Sequence, residues 1–168
     1  MYKAIEVLMK EHEIIKAALF QTQKLFQSVL EGNADLNDVK ARIEFFRKYA
    51  DGYHHHKEEQ VLFPEMIKRN EMLELGVIHE MLENHEDFRE MLSNIESLVM
   101  GGEGESASKA FNKYVEALLE HIAVEDEEVF QIAETLMSED ELLTVLYLFE
   151  DCDRNLGVPE KAEWESKV

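Results

Sequence analysis

The sequence is poor in the residues that build disulfides, turns and basic surfaces. Its single cysteine, Cys152, excludes an intramolecular disulfide and any cysteine-rich zinc or iron–sulfur site, and it suits a reducing compartment. Two prolines and 7 glycines in 168 residues leave little room for a turn-rich all-β fold. Only 17 Lys and Arg stand against 37 Asp and Glu, a formal charge of −20. That balance lacks the basic footprint of nonspecific nucleic-acid binding and disfavours docking on anionic membranes. No apolar run approaches the roughly 20 residues of a membrane span; the best candidate, Leu142 to Phe149, is interrupted by Thr144. Met1 to Glu13 is too charged to hold the apolar stretch of a signal peptide. The expectation is a cytoplasmic protein without nucleic-acid or membrane partners; no feature identifies a protein partner.

What is present is helical periodicity. Ile5, Leu8, Ile15, Leu19, Phe26 and Val29 form one stripe of a first helix over about Tyr2 to Leu30. A second opens at Asn37 or Asp38 and carries Val39, Ile43, Phe46, Ala50 and Val61, with Pro64 expected to kink or end it. Arg69 to Leu75 read as a connector closed by Gly76. A third helix carries Ile78, Met81, Phe88, Leu92, Ile95 and Val99. Gly101-Gly-Glu-Gly104 then breaks the chain, and a fourth helix carries Ala107, Ala110, Tyr114, Ala117, Val124 and Ile132. Ser138-x-x-Glu141 is a capping box that opens a short fifth helix, stopped by Asn155-Leu-Gly157. After Pro159 the tail reads as a loose or packed-down appendage. The fold expected is an all-α, up-down-up-down four-helix bundle with a short C-terminal helix. It is a single domain over 1–168, the bundle occupying about 2–134 and the C-terminal helix and tail about 138–168.

Each bundle helix sends a histidine toward the core. His12 lies between Leu8 and Ile15, His85 between Met81 and Phe88, and His121 between Ala117 and Val124. The second helix has three adjacent histidines. His54 pairs with Glu58 at i, i+4 near the core arc, as His121 pairs with Glu125. At about 100° per residue, His55 lies further round, and completes a site only if the helix rotates enough to bring it in. His56 and Glu59 lie further still. His54 to Phe63 aligns without a gap on His121 to Phe130, so each half offers a lone histidine and then a His/Glu pair.

Four imidazoles and two carboxylates in an apolar bundle are unfavourable unless metal pairs with them. Nitrogen and oxygen donors without sulfur suit iron, manganese or zinc. The order His-x-x-x-Glu differs from the Glu-x-x-His of ferritin-like bundles. His56 and His79 fall off the stripe and read as solvated. Glu59 reads as a surface carboxylate able to orient a ligand imidazole, and Cys152 as buried packing. The acidic run Glu125 to Glu128 reads as a solvated face apart from Glu125.

The motifs resemble the hemerythrin family, and within it the bacterial HHE cation-binding, non-carrier branch. The matching residues are Glu11-His12, His54-His55-x-Lys57-Glu58-Glu59, His85-x-x-x-Arg89 and His121-Ile-x-x-Glu125-Asp126. The resemblance implies His12, His54, His85 and His121 as terminal ligands and Glu58 and Glu125 as bridges between two iron ions, with zinc or manganese as alternatives. His55 is added as a possible substitute donor. The oxygen carriers place a second histidine four residues before the one equivalent to His85; here that position is Met81. The expected function is a non-haem di-iron protein that binds or reduces oxygen, peroxide or nitric oxide. The alternative is a non-catalytic metal or oxygen sensor or metal-binding protein.

Overall fold

Six helices account for nearly all of the residues described, 2–168, in a computed structural model, and no strand occurs among those residues. Helix α1 spans Lys3–Leu30, and α3 spans Val77–Met100. The second rod, α2, covers residues 38–69 as consecutive segments: α-helical Asp38–Phe45, π-helical Phe46–His55, π-helical Glu58–Leu62 and α-helical Phe63–Arg69. The fourth, α4, covers residues 104–136 as α-helical Gly104–Val124, π-helical Glu125–Val129 and α-helical Phe130–Leu136. Helix α5 is Glu139–Leu156, opened by the expected capping box on Ser138 and Glu141, and α6 is Val158–Ser166.

α1 packs on α2 and α4, and α3 packs on the same two, which closes the four-membered ring. Short connections keep successive helices antiparallel. α5 lies outside the ring against α1 and α2, and α6 folds back on α5 and the first π segment of α2. No helix among the described residues is long and apolar enough to cross a membrane.

One expectation is corrected and one is narrowed. Pro64 does not end α2. It lies in the first turn of the closing α segment, directly after a π turn where the hydrogen-bond ladder is already changing register, and the rod runs on to Arg69. Of the two forms expected for the tail, loose or packed-down, the structure has the packed-down one, as helix α6. Gly157 turns the chain with φ +109°, and Pro159 then occupies the first turn of α6, where a missing N–H is harmless.

The core is divided. One apolar cluster runs from Ile15, Phe26, Ile43 and Phe46 to Leu92, Phe111 and Leu118. The other gathers Ile5, Leu8, Leu62, Met66, Met81, Phe130 and Phe149. Between them lies a slab of buried polar side chains: Glu11, His12, His54, His55, Lys57, Glu58, His85, His121 and Glu125, none more than 2% exposed.

Candidate metal centre

The repeat seen in the sequence is a repeat of backbone geometry. Glu58 and Glu125 each open a π segment, and Phe63 and Phe130 each resume the α-helix after it. The lone histidine of each half lies on the phenylalanine of the other. His12 stacks on Phe130 at 5.5 Å between centroids, and His85 on Phe63 at 6.1 Å. The residue after each glutamate also reaches across: His12 Nδ1 donates to Asp126 at 2.7 Å, and His85 Nδ1 to Glu59 at 2.8 Å.

The π segments explain His55. Bonding from i to i+5 turns the backbone less per residue than an α-helix, so neighbouring side chains can both face inward. His54 and His55 are both buried, at 1% and 2% exposure. His55 stacks on His85 at 3.9 Å, and His54 meets His12 edge-on at 4.4 Å. His54 Nδ1 donates to Glu11 at 3.1 Å, and His55 Nδ1 lies 3.4 Å from Asp51. A carboxylate only accepts, so His54, His55 and His85 each carry a proton on Nδ1 and turn a bare Nε2 inward, whereas His12, with Asp126 at Nδ1 and Glu125 3.2 Å from Nε2, holds a proton on both nitrogens until a cation displaces one. His121 differs again, since its Nδ1 is buried without a partner.

The inward atoms converge as two groups. His12, His54, Glu58 and Glu125 form one; His55, Glu58, His85 and His121 form the other. Within each, one donor atom per residue lies within 4.8 Å of all the others. Glu58 sends Oε1 to within 3.4 Å of His54 Nε2 and Oε2 to within 3.6 Å of His85 Nε2. Glu125 sends Oε2 to within 3.2 Å of His12 Nε2 and Oε1 to within 3.2 Å of His121 Nε2. Each carboxylate therefore gives one oxygen to each pocket. All seven residues singled out in the sequence meet here. His79 is exposed and His56 half-buried, and neither joins the groups.

The electrostatics leave the site short of positive charge. Burial pushes His54 down to about 3, helped by His12 and resisted by Glu11. Burial and His55 push His85 down to about 3, against Glu59. Both rings are neutral, the form that offers a lone pair. His12 goes the other way: burial would lower it, but Asp126 and Glu125 outweigh burial and raise it to about 9. Burial and the Glu125 charge raise Glu58 well above the usual carboxylate range. For Glu125 burial acts in the same sense, but His121 and His12 overcome it and hold it low.

The four oxygens of Glu58 and Glu125, with His12 Nε2 and His54 Nε2, are buried and accept or donate no hydrogen bond. His85 Nε2 and His121 Nε2 face each other at 3.2 Å. Buried carboxylates without donors cost several kcal/mol, and cations between them remove that cost. The donor set is imidazole and carboxylate throughout, which fits hard or borderline metals such as iron, manganese or zinc.

The supporting residues were less legible. The acidic run reads as solvated apart from Glu125, yet Asp126 is half-buried and holds His12; its alignment with Glu59 is the signal for this in the sequence. Glu11 and Lys57 are buried charges that the periodicity did not flag. Leu8, Glu11 and Ile15 do keep the three–four spacing of the core stripe. Cys152 is half-buried at the edge of the second apolar cluster rather than fully buried.

No curated protein and no solved structure matches the chain. The family model of the hemerythrin HHE cation binding domain matches residues 3–133, the whole of the four-helix ring up to the last turn of α4. With that match lying over a buried slab of histidines and glutamates, the chain belongs to the hemerythrin HHE cation-binding family.

Proposed function

We propose that this protein holds two iron ions and uses them to bind or reduce a small ligand such as oxygen, peroxide or nitric oxide. The observation that carries the reading is the pair of buried glutamates, each with one oxygen toward each pocket and no donor of its own. His12 and His54 would hold one ion and His55, His85 and His121 the other, with Glu58 and Glu125 bridging. Bound iron would supply a redox couple and a coordination position for the ligand. The protein supplies the rest. Asp126, Glu11, Asp51 and Glu59 each bind Nδ1 of one ring, so that Nε2 is the atom facing inward; on His12 that atom would give up its proton to the ion. The two apolar clusters above and below exclude water from the layer. Met81, one turn before His85, packs in the second cluster, and His55 from α2 takes the place of a third-helix donor.

The test is metal analysis of the iron-reconstituted protein, followed by rapid mixing of its ferrous form with oxygen. We expect two irons per chain and fast oxidation to the ferric state without reversible uptake. His55→Ala should weaken one ion and spare the other. One ion at saturation would overturn the dinuclear reading. Oxygen released again on lowering its pressure would overturn the argument from Met81. Two tightly held ions that leave oxygen, peroxide and nitric oxide untouched would move the assignment to a non-catalytic sensor or metal-binding protein.

A further inference from the structure

α5 and α6 lie beyond the residues that match the family, yet they reach the layer that holds the histidines. The outer face of α2 presents Tyr49, Tyr53 and Lys57 at successive turns, all buried. Each polar tip is met by the C-terminal pair. Tyr49 donates to Glu165 at 2.9 Å. Tyr53 donates to the Leu156 carbonyl at 3.0 Å and to that of Gly157, at the turn itself. Lys57 Nζ lies 2.8 Å from Asp153 and also bonds Glu11. From α6, Lys161 reaches Glu11 at 2.6 Å and Asp153 at 2.8 Å. The result is a balanced cluster of two acids and two lysines, and its member Glu11 is the acceptor for His54 Nδ1.

We infer that the α5–α6 hairpin is a latch on the metal centre, with Lys161 a positioning residue that holds Glu11 against His54. The inference rests on the dinuclear reading and extends it to the part of the chain outside the family match. Lys161 is chosen because α6 has little apolar anchorage besides such contacts. None of its nine residues is fully buried; its one aromatic anchor, Trp164, is half-buried and edge-on to Phe45 at 6.1 Å, with clefts of about 400 and 430 Å³ beside it. A helix this short does not persist alone, so its polar contacts add materially to whether it stays. Without Lys161, the one cation left to Glu11 is Lys57, which Asp153 also engages. Glu11 then turns from His54, and the ring loses the bond that fixes its tautomer and its aim.

The test uses the full-length protein with Lys161→Met, which keeps the stem without the charge, and Lys161→Arg, which keeps the charge. Cobalt(II) titrations against a chelator read the affinity of each ion. Lys161→Met should weaken one of the two about tenfold, the lower end of the range for groups that orient a ligand. Lys161→Arg should restore most of the loss, with helicity unchanged in both. Nitrogen-15 histidine spectra of the metal-free protein give a second reading: the His54 Nδ1 resonance should move in Lys161→Met while that of His85 stays. Unchanged affinities with an unmoved His54 resonance overturn the latch. Tighter cobalt binding also overturns it, because Lys161 would then act by repelling the ion. If wild-type protein binds only one cobalt, the dinuclear reading fails, and the His54 resonance alone decides the latch. Should Lys161→Met not fold, Tyr49→Phe loosens α6 by one hydrogen bond, and the same movement of His54 is expected.

Discussion

His54 and His85 each hand an Nδ1 proton to a glutamate, but the two glutamates live in different surroundings. Glu11, below His54, is 3% exposed at its side chain and is held by two lysines, one of them wholly buried. Glu59, beside His85, is 19% exposed and is held by Arg89, itself 31% exposed. Arg89 also grips Asp51, the partner of His55, through Nε and Nη2 at 2.8 to 3.1 Å. His54 is thus anchored from inside by charges fixed in the packing, whereas His55 and His85 depend on a single guanidinium at the surface. The scaffold around them is a repeat, and the asymmetry arises at a few positions. Glu11 precedes His12 where Asn84 precedes His85, and His55 and Lys57 stand where the second half has Ile122 and Val124. Asn84 bonds the Glu80 carbonyl instead, and His121 Nδ1 is left without a carboxylate. A symmetric bundle can therefore build two chemically unequal pockets by changing the residues behind the ligands.

The bridging glutamates are what the pockets share, so breaking one should give the largest effect. Glu58→Gln should lower affinity for the metal more than a hundredfold, while Glu59→Gln stays within the roughly 10–100-fold of an orienting group. The metal-free proteins should move in opposite directions. Glu58 is destabilising when no cation is present, so Glu58→Gln should raise the apo melting temperature by about 3 °C for each kcal/mol relieved; Glu59→Gln should not. Calorimetry with and without metal checks both statements, and a fall in apo stability for Glu58→Gln would contradict the account of its burial.

The His12 pocket should also respond to pH. The His12 pKa is raised to about 9 by Asp126 and Glu125. Its contribution is therefore complete below about pH 6.5 and is lost as pH rises through 9, at most about 3 kcal/mol. Glu58, raised, acts in the same sense. His54 and His85, both lowered, act only below about pH 6.5. Metal-free protein should lose stability between pH 6.5 and 9, and His12→Gln should flatten the slope. With metal bound the slope should disappear, since ions displace the proton. An apo melting temperature that rises across this window would contradict the assignment.

The smallest effect sharpens the contrast between the two anchors. Arg89→Met releases Asp51 and Glu59 together, but at the surface, where water replaces the guanidinium. We expect about a fivefold loss for the ion of the His55 pocket, below the range for direct partners, and no change in the other. Chelator competition with cobalt(II) reads both affinities; equal losses in the two would erase the distinction.

The ring of helices and most of the layer were legible because apolar spacing and the His-x-x-x-Glu repeat report the same inward face. His55 is marginal for a definite reason: α-helical rotation puts its phase at the edge, but the segment that carries it is π-helical. Glu11, Lys57 and Asp126 were hidden because a charged residue taken alone reads as solvated. Only the partners brought from distant parts of the chain, such as Asp153 and Lys161, make burial tolerable. α6 is hidden because a proline just past a helix marks the end of one helix as readily as the first turn of another.

The π turns bear on how this chain can vary in length. A π turn closes over one residue more than an α turn, so Phe46–His55, Glu58–Leu62 and Glu125–Val129 hold residues in excess of a regular helix. Removing one lets the rod relax and rotates all that follows by a residue step, carrying glutamates and histidines out of alignment. In the exposed turn at Gly101 and Gly102 the same deletion displaces no member of the layer. Insertions and deletions, more than substitutions, are what the middle of α2 and α4 excludes.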